Sequence, residues 1–272
     1  MSLFPECTPP VPNGTDPVLN DVYSFFTAIP DLASIIGKAL RQSFDEVIDG
    51  PRTGRYCIEQ LEKTEKTYIG TKVEIVVRDQ LSLQRGDLLD NKIRGHEVDT
   101  KFSLSGNWMI PREAVGHICL LISGDDNSGV FNIGLLRMTP DVLTGRPNQD
   151  GKKSVSAAGK QRIRWVLKAQ PLERNFLLDL SDKTRDAILS PASATGRIHA
   201  LFRNVTGKII PRSAILQVAQ SKDPLKRARE SKAILARDNF LVLCSAYLAD
   251  RVEFDRYGFH DYKDDDWLSI RL

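Results

Sequence analysis

Residues 88–104, LLDNKIRGHEVDTKFSL, decide how the first half of the chain folds. The segments 88–94 and 96–104 read as two antiparallel strands turning at Gly95. Side chains alternate along a strand, so Asp99 and Lys101 share one face, and Val98, Thr100 and Phe102 share the other. A carboxylate beside an ammonium can act together on one substrate. The same pair on an open surface is a solvated contact worth roughly 0–1 kcal/mol.

Working outward, residues 57–82 read as one helix with Ile58, Leu61, Ile69, Val73, Val76 and Val77 on its apolar side. Helical spacing also marks 18–28 and 31–48, with a turn at DGPRTGR, 49–55. After the hairpin, PREAVG (111–116) fits a helical turn, and HICLLIS (117–123) and VFNIGLLRM (130–138) read as buried strands parted by GDDNSG. Trp108 and Met109 are read as covering the core, with lining a DNA cleft as the alternative. The expectation is helices flanking a sheet of at least four strands, an α/β class.

A chain of 272 residues with 41% apolar content can bury a full core. The N-terminal arm, 1–17, is polar and proline-rich and gives no sign of a leader. No apolar run reaches the roughly 18 residues that a membrane span needs. Cys7, Cys57, Cys119 and Cys244 are scattered and lack metal or redox spacing, which fits reduced thiols and a cytoplasmic location. The four histidines, His96, His117, His199 and His260, have no ligand spacing either, and His96 reads as a turn residue.

The net charge of +3 conceals a division. Residues 1–150 carry 15 Lys and Arg against 21 Asp and Glu, whereas 151–237 carry 19 against 6. Residues 238–272 return to 4 against 8. Composition changes along TGRPNQDGKKS (144–154), and AAGKQRIRWVL (157–167) reads as a connecting helix. Two regions follow, 1–166 and 167–272, the second mostly helical. Within it, RSAILQVAQ (212–220), a short turn and PLKRARESKAIL (224–235) have the layout of a helix-turn-helix, with Asp223 at the N-cap position and Pro224 in the first turn. Arg212, Lys226, Arg227, Arg229 and Lys232 are its candidate DNA contacts, and NFLVLCSAY (239–247) supplies a following strand. The alternative is a helical hairpin with a basic outer face.

The acid-x-Lys pattern occurs at Asp90/Lys92, Asp99/Lys101, Asp150/Lys152, Glu230/Lys232 and Asp261/Lys263. Context separates them. Hydrolysis of a phosphodiester needs an in-line water and neutralisation of the charge that builds on phosphorus; clustered carboxylates holding Mg²⁺, with a nearby Lys, meet both needs. Asp90, Asp99 and Lys101 lie on the two strands of one proposed hairpin, and Glu74 interrupts the apolar run Val73, Ile75, Val76 of the preceding helix. Together they form the D…(D/E)-x-K arrangement of a nuclease. Lys72 and Ser103 are further candidates for touching a phosphate.

Those residues sit in a wider pattern. QLEKTEKTYIGTKVEI (60–75), Asp90, VDTKFS (98–103), GHICL (116–120), LFRNVTGKIIPRSAILQVAQ (201–220) and LKRAR (225–229) together resemble the NaeI family of type II restriction endonucleases. The resemblance runs from about Phe44 to about Leu243. It implies a PD-(D/E)xK endonuclease domain followed by a helix-turn-helix domain. It also implies metal and catalytic roles for Glu74, Asp90, Asp99 and Lys101, with Mg²⁺ held by the three acids. A homodimer cutting double-stranded DNA at a short GC-rich palindrome, with a second site as effector and a cognate methyltransferase as functional partner, is further implied. A non-catalytic DNA-binding regulator and a mismatch-repair-type nicking enzyme are the other readings of the same residues.

Overall fold

The computed structural model describes residues 16–272. The N-terminal arm and Cys7 lie outside that range, apart from the arm's last two positions. The chain divides into two compact units: residues 16–47 with 62–173 form the first, and 48–61 with 174–272 the second. The expected boundary at 166/167 falls inside a strand, which is why the division comes later, at 173/174.

The first unit is built on a six-stranded sheet. Its helices are α1 (Pro17–Thr27), α2 (Leu32–Ile48, whose last residue already counts with the second unit), and, beyond the short α3 (Gly50–Thr53) of the second unit, α4 (Lys63–Gln80). Next come β1 (Gln84–Arg85), β2 (Asn91–Ile93), β3 (His96–Ser103), β4 (Met109–Ile110), β5 (Ile118–Asp125), β6 (Val130–Arg137), β7 (Lys153–Ser154), α5 (Ala157–Gln161) and β8 (Arg164–Pro171). The sheet order is β1-β2-β3-β5-β6-β8. Only β3 and β5 run parallel, with Asp99 opposite Cys119 and Lys101 opposite Leu121. This is the mixed α/β sheet expected of a restriction-endonuclease-like core.

Alternation sorts the two sheet faces. Val98, Leu120, Ile122, Ile133 and Leu135 are all fully buried. On that side α2 contributes Phe44, whose ring meets Phe102 edge-on at 5.8 Å. The opposite face carries Cys119, Leu121 and Leu136, which pack with Trp108, Ile110, Met138 and Val142 from the β4–β7 ribbon and its loops. Trp108 is core, as expected, and donates Nε1 to the Ile122 carbonyl at 2.8 Å; Met109 is instead exposed.

Several elements differ from the sequence reading. The expected strand 88–94 keeps only 91–93, because the amides of Leu88 and Leu89 bond to the Glu97 carboxylate instead of a neighbouring strand. The expected helix 57–82 is a 3-10 turn, Ile58–Gln60, and then α4; extended Leu61 and Glu62 separate them. The expected connecting helix 157–167 keeps only α5. Beyond it Arg164–Pro171 is the sixth sheet strand, pairing with β6. Gly134 makes this possible: a Cβ there would stand 2.3 Å from Ile163 and 2.9 Å from the Trp165 ring.

The second unit contains α3, α6 (Asp182–Leu189), α7 (Ala194–Asn204), β9 (Ile209–Ile210), α8 (Arg212–Ala219), α9 (Pro224–Arg237), β10 (Phe240–Cys244), α10 (Leu248–Arg256) and β11 (Trp267–Arg271). Three helices, α7, α8 and α9, pack Ile198, Leu201, Phe202, Ile215, Val218 and Leu235 around Trp267. A small antiparallel sheet, ordered β10-β11-β9, closes one side. The turn DGPRTGR becomes α3 between left-handed Asp49 and Gly54, and the Arg55 carbonyl accepts the Gln217 side chain at 2.7 Å. Among the described residues no helix is long and apolar enough to cross a membrane. Cys57, Cys119 and Cys244 are buried free thiols.

Candidate active site

The hairpin β2–β3 turns through Arg94 and Gly95, at φ 49° and 83°. Positive φ at both positions matches the right-handed twist of the strands, as two-residue hairpins require. The register Ile93↔His96 places Asp90 just before β2, within reach of the middle of β3. There its Oδ2 accepts the Thr100 amide at 2.9 Å. Buried Asn91 donates to Thr100 Oγ1 at 2.8 Å and ties the strands together.

Four sequence-predicted residues come together at this point. Lys101 Nζ lies 3.0 Å from Asp99 Oδ1, 3.4 Å from Asp90 Oδ2 and 3.5 Å from Glu74 Oε1. Glu74 arrives from α4, which packs Ile69, Val73, Val76 and Val77 inward, so its carboxylate is carried on the helix side that meets β3. Asp99 is the most enclosed of the four, with a side chain only 6% exposed. Beside it on β5 lies Cys119, whose Sγ approaches Asp99 Oδ2 at 3.9 Å.

Burial controls the electrostatics. Desolvation pushes the Asp99 carboxyl up to about 7, aided by the neighbouring Asp90 charge and opposed by Lys101. Desolvation likewise pushes Glu74 up to about 7, against the pull of Lys101. Asp90 feels desolvation too, but hydrogen bonding with Asp99, the Lys101 charge and the Thr100 amide outweigh it and hold its pKa below the ordinary value. Lys101 loses solvent as well; the three carboxylates more than compensate and hold it protonated. Two groups poised near neutral pH beside a fixed cation are a marker of functional sites.

The oxygen-only acid set suits a hard divalent cation. Among the described residues no three acidic, histidine or cysteine side chains stand ready-made around a metal position. What occupies the point where the carboxylates converge is the Lys101 ammonium itself. The acids are thus gathered for a cation, and chemically they fit a metal that takes over part of the ammonium's role.

Other candidates are placed elsewhere. Lys72 pairs with Glu46. Ser103 accepts the Asn107 amide at 2.9 Å. His96 is not a turn residue but the first residue of β3, opposite Ile93, and its Nε2 stands 3.3 Å from Asp21. Farther along the sheet face of Lys101, an open cavity of about 490 Å³ is lined by Ser123, Asn132, Trp165, Lys160 and Lys168. Sequence reasoning misses it because Trp165 lies in the part of β8 that the expected helix 157–167 takes up.

On the second unit, α8 and α9 flank a short turn, with Gln220 in the left-handed region at φ 47°. Asp223 takes the N-cap position, yet its side chain makes no capping hydrogen bond. Arg229 and Lys226 are exposed on α9, Lys226 lying 3.9 Å from Glu230. Arg227 reaches Thr195 at 3.4 Å, and Arg212 reaches Asp265 at 2.8 Å. Lys232 differs: it bonds to Asp250 and lies over the rings of Tyr247 and Trp267 at 5.2 and 5.8 Å. Exposed Arg237, one turn beyond Ala233, joins the outward side of α9 and was not singled out from sequence.

A family profile described as restriction endonuclease NaeI matches residues 24–272. The type II restriction enzyme NaeI of Lentzea aerocolonigenes is 39% identical over 218 residues, covering 75% of this chain and 68% of that protein. The match takes in the Glu74–Asp90–Asp99–Lys101 cluster and the basic α9 alike. The chain is therefore a member of the NaeI family of restriction endonucleases, site-specific deoxyribonucleases that cut double-stranded DNA.

Proposed function

We propose that this enzyme cleaves both strands of DNA at a short palindrome, GC-rich by family analogy, in a reaction dependent on Mg²⁺. The observation that carries the site assignment is the convergence of three carboxylates, from α4, the loop before β2 and β3, on Lys101 within 3.5 Å. Glu74, Asp90 and Asp99 are the residues that would hold the metal. When bound, Mg²⁺ supplies Lewis-acid stabilisation of charge on the phosphoryl oxygens.

The remaining work belongs to the chain. Lys101, which the three carboxylates hold protonated in the metal-free protein, neutralises charge building on phosphorus and orients or activates the attacking water. In-line attack that expels the 3′-oxygen leaves 5′-phosphate and 3′-hydroxyl ends. The Thr100 amide fixes the Asp90 carboxylate, and Cys119 encloses Asp99 so that water does not weaken the field around it.

The α8–α9 pair serves, in this reading, as a helix-turn-helix that meets DNA phosphates and groove edges through Lys226, Arg227, Arg229 and Arg212. Lys232 is committed to Asp250 and acts in packing. A palindromic target is matched by a homodimer, because two-fold symmetry in protein and DNA correspond. The enzyme then works in a bacterial cytoplasm beside a methyltransferase that protects the same sequence. Plasmid digestion in Mg²⁺ and in EDTA, followed by sequencing of the ends, tests the proposal. Discrete fragments sharing one palindromic end sequence are expected. DNA left intact in Mg²⁺, or fragments formed equally in EDTA, would contradict it.

A further inference from the structure

Glu97 lies on β3 two residues before Asp99, on the same strand face, and at first sight is another candidate metal ligand. Its oxygens are committed elsewhere. Oε1 accepts the Asp87 amide at 2.9 Å, and Oε2 accepts those of Leu88 at 3.1 Å and Leu89 at 2.8 Å. Three successive amides aimed at one carboxylate form a small anion-binding concavity, filled here from within the chain.

That concavity is the segment joining β1 to Asp90. At its start, Gly86 has no room for a side chain: a Cβ would lie 2.4 Å from the Leu89 carbonyl and 2.5 Å from Glu97 Oε2. The Gly86 amide points back to the Asp90 carbonyl at 3.4 Å, and Arg78 binds that carbonyl at 3.2 Å. Lys92 closes the outer side by pairing with Asp87 at 2.7 Å. The loop is thus fixed at both ends, with Glu97 at its centre.

We propose that Glu97 is a positioning residue for DNA cleavage: it holds the 86–90 loop so that the Asp90 carboxylate faces the Thr100 amide and Lys101. This rests on the reading of Asp90 as a site residue given above. Glu97 acts through backbone geometry, without touching DNA or metal. Without its carboxylate, three amides lose their acceptor, and Asp90 is no longer aimed by a rigid segment.

Glu97→Ala, Glu97→Gln and Gly86→Ala, with Asp90→Asn as control, test this. Single-turnover cleavage in Mg²⁺, DNA affinity in EDTA and amide exchange of Asp87–Leu89 in metal-free protein are the readouts. Glu97→Ala is expected to exchange these amides faster and cleave about 100-fold more slowly, the scale of a misplaced reacting group. DNA affinity should stay within about twofold, since no DNA contact is removed. Glu97→Gln, keeping one acceptor oxygen, should recover part of the rate, and Gly86→Ala should resemble Glu97→Ala. Should Glu97→Ala not fold, the other two variants carry the test. Unchanged cleavage in Glu97→Gln and Gly86→Ala, or weakened DNA binding with the cleavage rate intact, overturns the proposal. If Asp90→Asn itself cleaves normally, the site assignment fails first, and separately.

Discussion

Charge is used in opposite ways in the two units. In the first, the sheet and α4 draw three carboxylates and one ammonium to a single point, where burial moves two acids to about 7. In the second, like charges spread along the outer side of α9, where Lys226, Arg227 and Arg229 are exposed. Concentrated and desolvated charge tunes protonation and is suited to chemistry; dispersed, solvated charge is suited to phosphate contact at long range. Lys232 marks the limit of the second mode. Although part of the same basic run, it turns inward to Asp250 and the Trp267 ring.

If this contrast holds, the largest effects belong to the concentrated site. Asp99→Asn should lower the cleavage rate by about 10³-fold or more, corresponding to several kcal/mol of lost charge stabilisation, while DNA affinity measured in EDTA changes little. A residual rate within tenfold of the parent would remove Asp99 from the mechanism. Next in size is the dispersed surface. Lys226→Ala and Arg229→Ala should each weaken binding to all DNA sequences and reduce the slope of log affinity against log salt by about 1. A fall in cleavage without any change in that slope would deny them phosphate contact.

The pH response separates the two modes more finely. Asp99 has an ordinary pKa of 3.8 and about 7 in the folded protein. Between those values the folded state keeps a proton that the unfolded chain releases. Raising pH through this window therefore costs stability, and the cost is complete above about 7. Asp99→Asn in metal-free buffer should accordingly raise the melting temperature at pH 8 and have little effect near pH 4. The gain should be roughly 1–2 kcal/mol, less than the shift alone implies because Lys101 also loses a partner. A gain that is larger at pH 4 would reverse the sign. The smallest effect is expected at Lys232→Ala: about 1 kcal/mol of stability lost through packing, with the salt slope of DNA binding unchanged. A slope reduced by a full unit would return Lys232 to the DNA surface.

How much of this was legible beforehand follows from the range of each interaction. Residues 88–104 revealed their hairpin because alternation is a local signal, and Asp99 and Lys101 share a face by strand geometry alone. Glu74 was visible as an acid in an apolar run, supported by the family resemblance. The strand β8 was hidden because AAGKQ does form a helix, and the basic residues Arg162, Arg164 and Lys168 masked the alternation of Ile163, Trp165 and Leu167. Its place depends on Gly134, about thirty residues earlier in the chain. The return of 48–61 to the second unit, the Lys232–Asp250 pair and the Glu97 concavity each depend on contacts or loop conformations that no local period records.

The most direct test of the central claim is single-turnover cleavage of a target plasmid by the parent protein and by Asp99→Asn and Lys101→Met, in Mg²⁺ and in EDTA, with DNA binding followed in parallel. The account predicts Mg²⁺-dependent linear fragments from the parent alone, with both variants inactive and still bound to DNA. Cleavage by either variant at the parent's rate would contradict it, and would leave the Lys101 cluster as a structural ion network.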